Sequence, residues 1–156
     1  MNLKENTTIS YLTYLYGSKE GIIQRINEYL YQLVVIEKEE IRIVLEEILK
    51  SEMNHLKVIG KQIRELGYYP IFATITSNTE KYWNAYELYY DQEISSILEI
   101  DITQKKKAIF HYQLFMDYTK NSSLKRLIEQ IIEEEYEHLE KLYSLYKNGC
   151  STCENS

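Results

Sequence analysis

The sequence predicts an all-α fold, an antiparallel four-helix bundle with a long crossover between its second and third helices. Three observations carry that expectation. Breakers are scarce, with one Pro and five Gly in 156 residues, which favours a few long helices over many short strands. Apolar residues recur at helical spacing in four separate segments. Between the second and third segments the pattern lapses over a stretch long enough to cross the length of a bundle and return beside the first pair.

The first helix is expected from Ser18 to Ile36, with Ser18 as its N-cap. Ile22, Tyr29 and Ile36 recur at sevens there, interleaved with Ile26 and Leu33. The second is expected from Lys38 to Leu66, closed by Gly67 in the position that favours left-handed backbone. Its stripe reads Ile41, Leu45, Ile48, Glu52, His55, Ile59 and Leu66. The crossover, from Gly67 to about Tyr90, holds Pro70, the polar run Thr76-Ser77-Asn78-Thr79 and the aromatic segment Lys81-Tyr-Trp-Asn-Ala-Tyr86. The third helix, Gln92 to Tyr118, aligns Ile94, Leu98, Asp101, Lys105, Ala108, Tyr112 and Phe115. Asn121 or Ser122 caps the fourth, whose stripe is Leu124, Ile128, Ile131, Glu135, His138, Leu142 and Leu145. Residues 1–147 form the expected bundle domain, and 148–156 a flexible tail carrying Cys150-Ser-Thr-Cys153.

Composition bounds the function. A hydrophobic fraction of 44% with 27% charged residues belongs to a globular chain, not a disordered one. The formal net charge of −6 argues against a nucleic-acid surface, and Lys105-Lys106-Lys107 is too short a run to reverse that. No run of apolar residues is long enough to span a membrane. The start of the chain lacks the layout of a secretory signal, so a cytoplasmic location is expected. Two cysteines close together at one end cannot staple a fold.

Charge falls where apolar residues belong. Glu52-Met-Asn-His55 and Glu135-Tyr-Glu-His138 are two copies of one pattern. Residues three apart share a helix face, so each copy aims a carboxylate and an imidazole at one point. Both copies lie on core stripes, and Asp101 and Lys105 are in register with Ile94 and Leu98. An amphipathic helix puts charge on its other face. Paired Glu-x-x-His helices build carboxylate-bridged two-metal sites inside bundles, and carboxylate with neutral imidazole suits iron or manganese. Two Glu and two His are too few donors for two metals, so further carboxylates are needed. The first helix offers Ile22 at that level, while Glu20 and Glu28 lie off its stripe and serve only by swinging in. The third offers Lys105, whose ammonium repels a metal and attracts Glu52 and Glu135, with Asp101 a turn away as a displaced ligand. An internal ion network of Glu52, Glu135, Asp101 and Lys105, with hydrogen-bonded His55 and His138, stands beside the metal-bound alternative.

Other features carry less. His111 lies off the core stripe and is expected to be exposed. The 16 Tyr at helical spacings read as core or interface filling rather than a radical relay. Cys150 and Cys153 have redox-motif spacing but no strand-to-helix context.

These motifs resemble the ferritin-like superfamily, in its bacterial branch near rubrerythrin and manganese catalase, including catalase-like spore-coat proteins. The resemblance covers Gly17 to Tyr146 and rests on Gly21 through Tyr29-Leu-Tyr-Gln32, Leu45 through Leu56, Lys81-Tyr-Trp-Asn84 and Glu133 through Leu139. It implies dimers or larger homo-oligomers, two iron or manganese ions, and reduction or disproportionation of peroxide. By position Glu52 and Glu135 look like bridging carboxylates, and His55 and His138 like terminal imidazoles. In relatives a Glu follows the glycine matching Gly21, where this chain has Ile22. Another Glu lies seven before the tyrosine matching Tyr112, where this chain has Lys105.

The expectation that follows is a ferritin-like protein with a modified site, non-catalytic or binding a single metal, or empty of metal. The alternatives are an active di-iron or di-manganese oxidoreductase acting on peroxide, with Glu20, Glu28 or Asp101 as substitute ligands, and a structural or assembly component.

Overall fold

The structure is a computed structural model that describes residues 3–76 and 79–151. Its elements are α1 (Leu3–Gly17), α2 (Ile22–Val35), α3 (Glu39–Glu65), β1 (Ala73–Thr76), β2 (Thr79–Tyr82), α4 (Ile94–Tyr118) and α5 (Ser122–Ser151), with a single 3₁₀ turn at Ala85–Glu87. The fold is the expected all-α bundle, made by α2 to α5. Short links make helical hairpins of α2–α3 and α4–α5, and the long segment after α3 carries the chain to the second pair.

Helix boundaries follow local chemistry. Asn121 Oδ1 accepts from the backbone N–H groups of Ser123 and Leu124, both at 3.0 Å, and so starts α5. Glu93 does the same for α4 through Ser95 and Ser96. At the end of α3, Gly67 takes a φ of +87°. Its N–H donates to Arg64 O at 3.0 Å and that of Tyr68 to Ile63 O at 3.2 Å, a Schellman closure.

Two features depart from expectation. Ser18 does not cap the first bundle helix, because α1 runs up to Gly17 and α2 starts only at Ile22, after Gly21. Ser18 Oγ instead accepts from Glu20 N–H at 3.1 Å, within the turn between α1 and α2. Helix α1 itself has no amphipathic stripe to announce it, since it touches β1, α2, α3 and α4 and is covered on several sides. Ile9, Leu12, Leu15 and Tyr16 are buried from it.

The crossover also holds an antiparallel hairpin, β1 with β2, in which Ala73 pairs with Tyr82 and Thr76 with Thr79. The hairpin lies on α1: Ile75 N–H donates to Thr13 Oγ1 at 3.1 Å. A Cβ on Gly17 would come within 2.6 Å of Ala73 N, so glycine permits that approach. Trp83 and Glu87 then tie the crossover to α2, through Trp83 Nε1–H to Gln24 Oε1 at 2.7 Å and Gln24 Nε2–H to Glu87 O at 2.8 Å. The core is continuous, from Ile9 and Leu12 through Ile22, Tyr29, Leu45, Ile48 and Ile59 to Leu98, Tyr112, Phe115, Ile128 and Leu142. Cys153 lies outside the described residues, and α5 extends through the first residues of the expected tail.

Candidate metal centre and buried ion network

Helices α3 and α5 bring their two Glu-x-x-His patterns inward. Glu52 and Glu135 are fully buried, with His55 and His138 almost so. Glu52, His55 and Glu135 each offer a ligand atom within 4.8 Å of the other two. His138 sits at the edge, its Nδ1 3.9 Å from Glu135 Oε1. The Nδ1 atoms of both histidines are buried without a hydrogen-bond partner.

Two cations occupy the same core. Lys105 on α4 is 0% exposed. Its Nζ donates to Glu52 Oε1 at 2.5 Å and to Glu135 Oε2 and Oε1 at 2.9 and 3.0 Å. Arg25 on α2 holds the other side of the pairing, with Nε at 2.7 Å from Glu52 Oε1 and Nη2 at 3.1 Å from Glu52 Oε2. Its remaining donors reach Glu20 O at 3.1 Å and Tyr112 OH at 3.5 Å. Two carboxylates thus face two permanent buried cations, and those four charges balance. Burial opposes ionisation of Glu52 and Glu135, yet Arg25 and Lys105 hold the first, and Lys105 with the histidines the second, below the ordinary carboxylate range. Burial works against the charge on Arg25 as well, and Glu52 overcomes it.

His55 is anchored from outside by a residue the sequence reading did not single out. Glu134 Oε2 lies 2.7 Å from His55 Nε2 and also accepts from Ser51 Oγ at 2.8 Å. Glu134 is half exposed, so this corner of the network meets solvent. Nδ1 faces inward, 3.3 Å from Glu135 Oε1 and 3.8 Å from Glu52 Oε2. Burial lowers the affinity of this imidazole for a proton, but Glu135 and Glu52 raise its pKa to about 9.

Asp101 is fully buried but stands apart from this group, its Oδ1 accepting from Gln32 Nε2 at 2.7 Å. Ile22 is wholly buried and apolar at its own level of α2. Glu28, off the expected stripe, is also buried, because the crossover closes over it: Tyr89 N–H donates to Glu28 Oε1 at 3.2 Å. Glu20 lies on the other side, with Tyr14 OH at 2.7 Å and His111 Nε2 at 3.1 Å from its Oε2. His111, expected to be exposed, is partly covered because α1 packs beside it through the Tyr14 ring.

Arg25 was legible in principle. It follows Ile22 by three and precedes Tyr29 by four, so it shares their face, the same register argument that singled out Lys105. Glu134 had no such signal, being one residue off the stripe in a run of acids.

A four-helix bundle with a long connection between its two hairpins and inward-facing Glu and His is the ferritin-like class. A family model described as Rubrerythrin matches residues 23–146, and the chain belongs to the rubrerythrin family. No curated protein matches. Among solved structures, a manganese catalase from Anabaena superposes with a TM-score of 0.84 at 17% identity, covering 95% of this chain and 74% of that one. A bacterioferritin from Desulfovibrio desulfuricans gives 0.75 at 23% identity, with 92% and 80% covered. A dodecameric thioferritin from Bacteroides fragilis gives 0.79 at 19% identity, with 96% and 90% covered. At these identities the likeness is one of fold. Among the described residues no helix is long and apolar enough to cross a membrane.

Proposed function

We propose that this protein is a ferritin-like bundle whose two-metal site has been converted into an internal ion network, so that it binds one transition metal at most and does not catalyse peroxide chemistry. The observation that carries the reading is Lys105 Nζ, hydrogen-bonded to both Glu52 and Glu135 in the middle of the bundle. In this reading Lys105 and Ile22 stand where capping carboxylates stand in relatives, and Arg25 supplies a second fixed positive charge.

The donor set does not fit two divalent ions. Each bridging carboxylate is already neutralised, and adding two dipositive ions beside Lys105 and Arg25 places four further charges in a buried site with no new anion. It does fit a single ion held by Glu52, His55 and Glu135, provided Lys105 moves aside. The inward-facing Nδ1 of His55, close to Glu135 and Glu52, and the Glu134 carboxylate on Nε2 support that second reading, because a ligating imidazole normally donates its other N–H to a carboxylate. An ion bound there would supply Lewis acidity. The residues themselves orient one another.

The role that remains is structural or interaction-based, in a homodimer or larger homo-oligomer that works on neither nucleic acid nor membranes. Elemental analysis of protein purified without chelator is the test. The reading expects at most one iron or manganese per chain and no peroxide consumption after reconstitution. Two stoichiometric metals per chain, with peroxide turnover lost in Glu52→Ala, reject it.

A further inference from the structure

One helical turn from the Lys105 network lies a second polar group in the core, built on α2 and α4. Asp101, Gln32, Tyr29 and Glu28 are each at least 99% buried. Four of their oxygens have no hydrogen-bond partner: Asp101 Oδ2, Gln32 Oε1, Tyr29 OH and Glu28 Oε2. Native interiors leave few such atoms, and each needs an explanation.

The satisfied atoms follow one pattern. Asp101 has one oxygen fixed by a donor and the other without a partner, while Glu28, also approached by the Gln104 side chain, keeps Oε2 without one. Gln32 Nε2–H holds Asp101 Oδ1 at 2.7 Å. Gln24 Nε2–H and Tyr89 N–H hold Glu28 Oε1 at 2.8 and 3.2 Å. Gln24 is itself locked by Trp83. Carboxylates anchored through one oxygen, with the second left open, are how ligands are oriented around a bound cation.

Gln32 is the independent sign of a ligand, because the same buried amide that donates to Asp101 has a carbonyl oxygen without a hydrogen-bond partner. The members also feel one another. Burial raises the Asp101 carboxyl to about 7, the neighbouring Glu28 carboxylate adding to it. Burial and then the Asp101 charge raise Tyr29. Arg25 and Lys105, the cations nearest in sequence, are committed to Glu52 and Glu135.

We propose that Asp101, Glu28, Gln32 and Tyr29 form a second cation site, all oxygen, for a hard divalent ion of the Ca²⁺ or Mg²⁺ type. Two carboxylates, an amide carbonyl and a phenol oxygen are the hard donors such ions take, and no imidazole or thiolate intrudes. The site adjoins the Glu52 group, with Lys105 Nζ 5.7 Å from the Tyr29 ring centre, but shares no proposed ligand with it.

The test uses the full chain, stripped of metal and then titrated with CaCl₂ or MgCl₂ by calorimetry and thermal unfolding. One ion per chain is expected, with a rise in Tm of roughly 5–10 °C at a hundredfold excess over Kd. Asp101→Asn keeps the acceptor for Gln32 and removes the charge, so it folds and loses both binding and shift. Glu28→Gln serves as the second variant, with the same loss expected, and Glu80→Gln, exposed on the crossover hairpin, retains the response. Absence of any Ca²⁺ or Mg²⁺ response in the unaltered protein overturns the proposal. So does a response abolished by Glu52→Gln but kept in Asp101→Asn and Glu28→Gln.

Discussion

Lys105 Nζ stands 2.5 Å from Glu52 Oε1, an amine and a carboxylate meeting where neither is exposed to solvent. Burying either charge alone is prohibitive, and in this core each is the other's reason for being charged. The same amine reaches Glu135, so a single side chain of α4 joins α3 to α5.

Removal of that amine therefore leaves Glu135 without its lysine partner, while Glu52 keeps Arg25. Lys105→Met is expected to destabilise by roughly 3–5 kcal/mol, as breaking a buried ion pair from one side does. Equilibrium unfolding in urea measures it. Lys105→Met combined with Glu135→Gln recovers most of the loss, because Arg25 still serves Glu52. A double variant no better than the single one shows that Lys105 acts only as a filler of space.

Arg25 opposes any attempt to restore the metal site. Ile22→Glu with Lys105→Glu supplies the two carboxylates that relatives carry, and iron or manganese binding is expected to appear. Adding Arg25→Gln to that pair is expected to tighten it at least tenfold, since one buried positive charge less faces the ion. Metal titration by calorimetry reads both steps. Unchanged affinity across the series contradicts the alignment of α2 and α4 used here.

The seating of α1 depends on pH through Glu20. Tyr14 OH foremost, with His111 and Lys107, lowers the Glu20 carboxyl below its ordinary value, against a smaller effect of burial. A carboxyl depressed on folding contributes stability that is present above its unfolded pKa, near 4.5, and lost as pH falls through its folded one. Unfolding followed at pH 7 and at pH 3 is expected to show this loss, with Tyr14→Phe costing about 1 kcal/mol at pH 7 and less at pH 3. An equal cost at both values assigns Tyr14 to packing alone.

Much of this was legible in the chain. Ile41, Leu45 and Ile48, followed at the same spacing by Glu52 and His55, announce a helix whose stripe turns from apolar to charged midway. Lys105 in register with Leu98 announces a cation in the core for the same reason. What stayed hidden is what periodicity cannot carry. Helix α1 is covered on several sides and so presents no stripe. Thr13, buried inside it, is held by its hydroxyl to Ile9 O at 2.8 Å. Glu28 is buried by the crossover, a contact made across 61 residues to Tyr89 and beyond the reach of local spacing. Arg25 lies on a readable face beside Ile22, but an arginine can extend to solvent, and only the position of Glu52 decides that it does not.

The most direct measurement is an anomalous-difference map from crystals grown in excess manganese and collected at the manganese edge. No pair of peaks is expected between Glu52 and Glu135, and the amine density of Lys105 is expected within hydrogen-bond distance of both carboxylates. Two strong peaks about 3.5–4 Å apart, bridged by Glu52 and Glu135 with Lys105 turned away, contradict that expectation.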